Sequence, residues 1–150
     1  MKKILGWAVL AALVLWAVAF FALNQMHARE TQSMVAAADR VDIPGNWTLI
    51  SERIESEKLP CLNSNPCPSL HRRWQTSEEL SEDSLQVLAS SAGLSLTVDR
   101  SCARPDNVLG DAALCTGTAA DDGYDFSFTI SSPQPGADSI LVLGVEASDE

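Results

Sequence analysis

The stretch ALCTGTAADDGYDFSFTIS, residues 113–131, decides the fold. Asp122-Gly123 is a dipeptide that suits a type I′ turn, where both central residues need positive φ. Pairing Asp121 with Tyr124 across that turn sets the register. Tyr124, Phe126, Phe128 and Ile130 then share one face, opposite Asp121, Ala119, Gly117 and Cys115. Large side chains meet small ones, which is favourable cross-strand packing. The reading is an antiparallel hairpin with one apolar face.

Working outward, Leu94, Leu96 and Val98 alternate with Ser95, Thr97 and Asp99, which predicts a half-buried strand. The same parity turns Cys102 inward. Cys115 points inward from the hairpin, and two inward cysteines on neighbouring strands meet the Cα separation of about 7 Å or less that a disulfide needs. Before this strand, Ser81 is a good N-cap, Glu82 and Asp83 suit a first turn, and Gly93 closes the end. Leu85, Leu88, Ala89 and Ala92 form one stripe, so a helix lays that stripe on the sheet. On the other side, 140–145 is a continuous apolar run and reads as a central strand buried on both faces. Residues 47–54 read as a first strand, with Trp47 and Leu49 on one face and Ile50 and Ile54 on the other. The segment 59–68 holds three prolines and reads as a loop without ladder hydrogen bonds. The expected domain is α+β: a β-α-β-β-β antiparallel sheet with one helix, stapled by disulfides.

The N-terminus adds a second kind of element. Lys2 and Lys3 precede an apolar run at 4–23 with no charge, amide or proline. Twenty helical residues span roughly 30 Å, the thickness of a bilayer's hydrocarbon core. The flank beyond it, with His27, Arg29 and Glu30, is nearly neutral, so the positive-inside rule puts the lysines in the cytoplasm. The expectation is a cytoplasmic tip and transmembrane helix at 1–23, in contact with membrane lipid through 4–23. A helical stalk follows at 24–40, and a domain outside the cytoplasm at 41–150. The competing reading is a cleaved signal peptide, but the run is long for one, and the nearest small-residue site, 36–38, lies well past it. Both readings export the domain.

An exported domain can keep disulfides. Four cysteines allow three pairings. Cys61–Cys67 and Cys102–Cys115 are preferred because each closes a short loop. The spacings C-x5-C and C-x12-C do not fit a zinc site, which uses close pairs, and C-x-x-C redox chemistry has no motif here. From 41 onward there are 18 acidic and 6 basic side chains. A net charge of −12 repels phosphate backbones and excludes nucleic-acid binding as the expected activity. No metal or cofactor is expected.

No catalytic motif stands out. His71 is the only histidine in the exported part, and no G-x-S-x-G elbow or Gly-rich phosphate loop accompanies it. Asp121, Asp122 and Asp125 cluster at the hairpin tip without an EF-hand pattern, so ordinary turn chemistry accounts for them. His71-Arg72-Arg73-Trp74 is the one basic, aromatic cluster on an acidic domain. Arg and Trp dominate binding hot spots, which makes these four residues a candidate partner contact. The plainer alternative is that Trp74 packs in the core while the arginines pair with Glu78, Glu79 or Glu82.

The order of a basic one-pass anchor, Trp47, Cys61, Pro66-Cys67-Pro68-Ser69, Trp74, two later cysteines and Gly123-Tyr124 resembles small extracytoplasmic proteins of the actinobacterial kind. The resemblance implies location and disulfides, and carries no activity. The expected function is a membrane-tethered, non-enzymatic accessory or interaction domain, docked on a membrane-protein partner. The alternatives are a domain that binds a small ligand or a cell-envelope component, and a hydrolase using His71.

Overall fold

A computed structural model gives the chain as α1 (Lys2–Ala38), β1 (Thr48–Glu55), β2 (Ser69–Gln75), α2 (Glu82–Ser91), β3 (Thr97–Val98), β4 (Ala112–Asp121), β5 (Tyr124–Ser132) and β6 (Ile140–Ala147). It describes residues 2–56, 68–105, 108 and 110–148; in α1 the side chains are described at 13–22, at Gln25 and from Ala28 on. Cys61 and Cys67 lie outside the described residues, and so does most of the expected loop at 59–68.

The six strands form one antiparallel sheet in the order β1-β2-β6-β5-β4-β3. The hairpin register is the expected one, with Asp121 opposite Tyr124, Ala119 opposite Phe126, Gly117 opposite Phe128 and Cys115 opposite Ile130. Asp122 (φ 50°) and Gly123 (φ 79°) make the turn. Asn and Asp tolerate this left-handed conformation better than other side chains do, and Gly adopts it freely. The Cys102–Cys115 disulfide is present, with Cα atoms 4.8 Å apart.

One face of the sheet is apolar and covered. Leu141, Leu143 and Val145 of β6 and Phe126, Phe128 and Ile130 of β5 are all buried there. Leu85, Leu88 and Ala89 of α2 join the same core, as do Met34, Ala37 and Ala38 from the end of α1. The helix α2 begins as expected, with a capping box between Ser81 and Ser84. It ends with Gly93 at φ 76°. The other face of the sheet carries Ser127, Thr129, Thr116 and Thr118 and is open.

Four features differ from the sequence reading. The core starts at Met34 rather than at Val41, because the last turn of α1 is itself a packing element. In β1 a bulge at Ile50 shifts the register between Leu49 and Ser51. One extra residue reverses the side-chain alternation, so Leu49 and Ile54 fall on the same face. β6 is central as expected, but only its Leu141, Leu143 and Val145 side meets the core; Ile140 and Val142 are half-buried on the open face. Finally, β2 is an additional strand. Its inward residues are Leu70, Arg72 and Trp74, opposite Val145, Leu143 and Leu141. A charged residue at the middle inward position hid the alternation.

Among the described residues, no helix is long and apolar enough to cross a membrane.

Candidate functional site

Because β2 is a strand, the four-residue cluster read from the sequence is divided between two faces. His71 and Arg73 point to the open face and are exposed, whereas Trp74 is buried and Arg72 turns inward. They do not form one surface. Arg72 donates from Nε to Glu52 Oε2 and from Nη1 to Asp39 Oδ1, each at 2.5 Å. Burial opposes its charge, but the hydrogen bonds and attraction of Asp39 and Glu52 outweigh that and raise its pKa above the ordinary arginine value. Arg72 thereby joins the end of α1 to the edge strand β1. Among the described residues neither arginine forms an ion pair with Glu78, Glu79 or Glu82, the partners in the plainer alternative.

His71 sits in a row that crosses the whole open face: Arg53, His71, Gly144, Ser127, Thr118 and Thr97. Gly144 has a steric reason to be glycine. A Cβ there would lie 2.5 Å from Ser127 Oγ and 3.3 Å from His71 Nδ1. The other ring nitrogen, Nε2, is 4.0 Å from Glu146 Oε1. Serine, histidine and glutamate are therefore neighbours, yet no hydrogen bond joins Ser127 to His71 among the described residues, and all three stand on an open sheet. A Ser–His nucleophile needs its base within hydrogen-bond reach, and the structure shows no such bond between Ser127 and His71 among the described residues. The glycine, invisible as a site signal in the sequence, leaves the space that Ser127 Oγ and His71 Nδ1 both border.

Two of the hollows formed by the described residues bear on these elements. One, of about 470 Å³ on the open face, is lined by Ser95, Thr97, Thr118, Asp125, Ser127 and Glu146 among others. The second, of about 330 Å³, lies between α2 and the connection from α1 to β1. Pro44, Trp47, Leu80, Val87 and Leu88 supply its apolar wall, with Glu78 and Asp83 beside them. Neither is lined by His71 or Trp74. The signal for the second groove in the sequence is Val87, a large apolar residue off the buried stripe of α2, and it is 70% exposed.

At the hairpin tip, Arg40 pairs with Asp121 at 2.8 Å and with Asp122 at 3.8 Å, so these carboxylates fasten the end of α1 to the β4–β5 turn. Ser33 Oγ and Tyr124 Oη, 2.5 Å apart, add a hydrogen bond there. Asp125 stands apart on the open face, opposite Glu146. Among the described residues, no group of three or more His, Cys, Asp or Glu side chains is placed to hold a metal ion.

No family model, no curated protein and no solved structure matches this chain.

Proposed function

We propose that the chain is a single-pass membrane protein whose folded domain lies outside the cytoplasm and serves as a non-enzymatic accessory or interaction subunit. The observation that carries this reading is the state of α1. Leu13, Val14, Leu15, Trp16, Val18, Phe20 and Phe21 are each more than half exposed, on every side of the helix. A helix apolar all round requires an apolar environment, and among the described residues none covers these side chains. The same helix then runs without a break into the core at Met34, Ala37 and Ala38. Cleavage in the small-residue stretch 36–38 would separate Met34 from the domain it packs into, which favours an anchor over a removed signal peptide.

The test is accessibility. Protease added to intact cells should digest the C-terminal domain, and thiol labelling without reductant should leave Cys102 and Cys115 unmodified. A protected domain, or labelled Cys102, would overturn the reading. The partner claim has its own test. Cross-linked purification in mild detergent should recover a membrane protein in stoichiometric amount, and a chain that always elutes alone would defeat it.

A second reading, binding of a small ligand or an envelope component, is favoured by the hydroxyl-lined hollow over Thr97, Thr118 and Ser127. Paired hydroxyls and carboxylates suit a polyhydroxylated ligand. Replacing Thr118 by Val would abolish retention of the domain on isolated cell-wall material if that reading held.

A further inference from the structure

The groove between α2 and residues 44–47 has three unmet chemical demands. The first is charge. Glu78 and Asp83 border it, and Glu79 and Glu82 neighbour them in sequence; among the described residues none of these four forms an ion pair. The stretch from Ser77 to Ala92 contains no Lys or Arg at all. The second is apolar surface. Val87 is 70% exposed beside buried Leu80, Leu88 and Trp47, so a large side chain stands at the mouth of an apolar hollow. The third is a hydrogen bond. Trp47 is only 9% exposed, and its indole Nε1 is buried without an acceptor among the described residues. A buried indole N–H ordinarily finds a partner, and leaving it without one costs stability.

We infer that this groove is the docking site for an extended, lysine- or arginine-bearing polypeptide segment of the partner. Each demand selects against another class of occupant. The four unpaired carboxylates exclude an anionic ligand and attract a cationic one. The hollow takes one apolar side chain against Trp47, Leu80 and Val87, the anchor-in-pocket arrangement of binding hot spots. The buried Trp47 N–H lacks an acceptor among the described residues; a peptide backbone carries carbonyls that would supply one where docking turns the indole toward the hollow, and a simple amine carries none. The inference deepens the interaction reading above by naming the surface and the chemistry of its partner. The two fail separately: accessibility decides the location, and peptide binding decides the groove.

The experiment uses the full chain in nanodiscs of zwitterionic lipid, with empty nanodiscs as blank. The probe is a short fluorescent peptide in which lysines flank one leucine, compared by anisotropy with the same peptide bearing glutamates. The lysine peptide should bind and the glutamate peptide should not. Glu78→Lys together with Asp83→Asn should weaken binding by about tenfold, and Val87→Ser by a similar factor. Trp47→Phe keeps the ring but removes the N–H and should weaken it by about threefold or more. Asp125→Lys together with Glu146→Lys changes the net charge at least as much on the opposite face and should leave binding within about twofold. Melting curves confirm that each variant folds, and Val87→Ser, being at an exposed position, keeps the test open if a charge variant does not. Equal binding of both peptides, unchanged binding by the groove variants, or an equal loss from the open-face variant would overturn the inference.

Discussion

Arg72 and Arg73 are adjacent in sequence and opposite in role. Arg72 is mostly covered and bonded to carboxylates on two other elements; Arg73 lies on the open face, with no ion pair among the described residues. Arg72→Ala should therefore cost about 1–2 kcal/mol, the range for hydrogen bonds to a charged group reduced by the exposure of both carboxylates. Arg73→Ala should stay within about 0.5 kcal/mol of wild type. Urea denaturation of the two variants separates the roles, and equal effects would contradict the strand assignment. Gly117 makes a second test. A Cβ there would come within 2.6 Å of the Leu96 side chain, so Gly117→Ala should destabilise by about 1–3 kcal/mol through overpacking. The small residues opposite the aromatic ones were legible from the hairpin register alone. That Gly117 also accommodates Leu96 was not, because Leu96 arrives from a different strand. Gly144 is the same case on the other face: no local pattern foretells that His71 and Ser127 meet above it.

At the scale of elements, sequence patterns served where local chemistry decides and failed where a tertiary partner overrides it. The β4–β5 hairpin and α2 carry their own turn and cap residues, so their register and ends could be read directly. β2 could not, since Arg72 occupies an inward position that is satisfied only by Asp39 and Glu52 from distant segments. The last turn of α1 reads as stalk in the sequence because Met34, Ala37 and Ala38 are as suited to an exposed helix as to a packed one. This predicts a boundary. A soluble chain that begins at residue 28 should melt well above one that begins at 41, since the latter loses Met34, Ala37 and Ala38 from the core together with the Arg72–Asp39 and Arg40–Asp121 contacts. Similar melting temperatures would show that the helix end is not part of the domain. The disulfide acts between elements too. It links Cys102 to Cys115 across a sequence separation of 13, which in the chain-entropy view stabilises by about 3 kcal/mol, and replacing both cysteines by alanine should lower the urea midpoint accordingly.

For the whole molecule, the sheet order fixes which surfaces stay unsatisfied. β3 closes one edge with only two residues, which leaves little unpaired backbone. β1 closes the other with eight, all but the last of them exposed. Its charges are spent within the chain, Glu52 on Arg72 and Arg53 on Glu55. What remains exposed is backbone together with Thr48 and Ser51 and with Leu49, Ile50 and Ile54, the last three between 42% and 50% exposed. Long, apolar edges invite strand addition by another chain, and natural sheets usually blunt them with lysine, proline or a bulge. Here only the bulge at Ile50 does so. Ile54 lies beyond that bulge, in the regular part of the ladder opposite Leu70, so it marks the more vulnerable half. Ile54→Lys should accordingly suppress self-association of the detergent-solubilised protein at high concentration, followed by sedimentation or light scattering. Because the side chain is already 42% exposed, the same change should shift stability by no more than about 0.5–1 kcal/mol. Reduced association with an unchanged melt would identify the β1 edge as the sticky surface. A large fall in melting temperature would mean that Ile54 belongs to the core after all, and unaltered association would move the liability to the apolar part of α1.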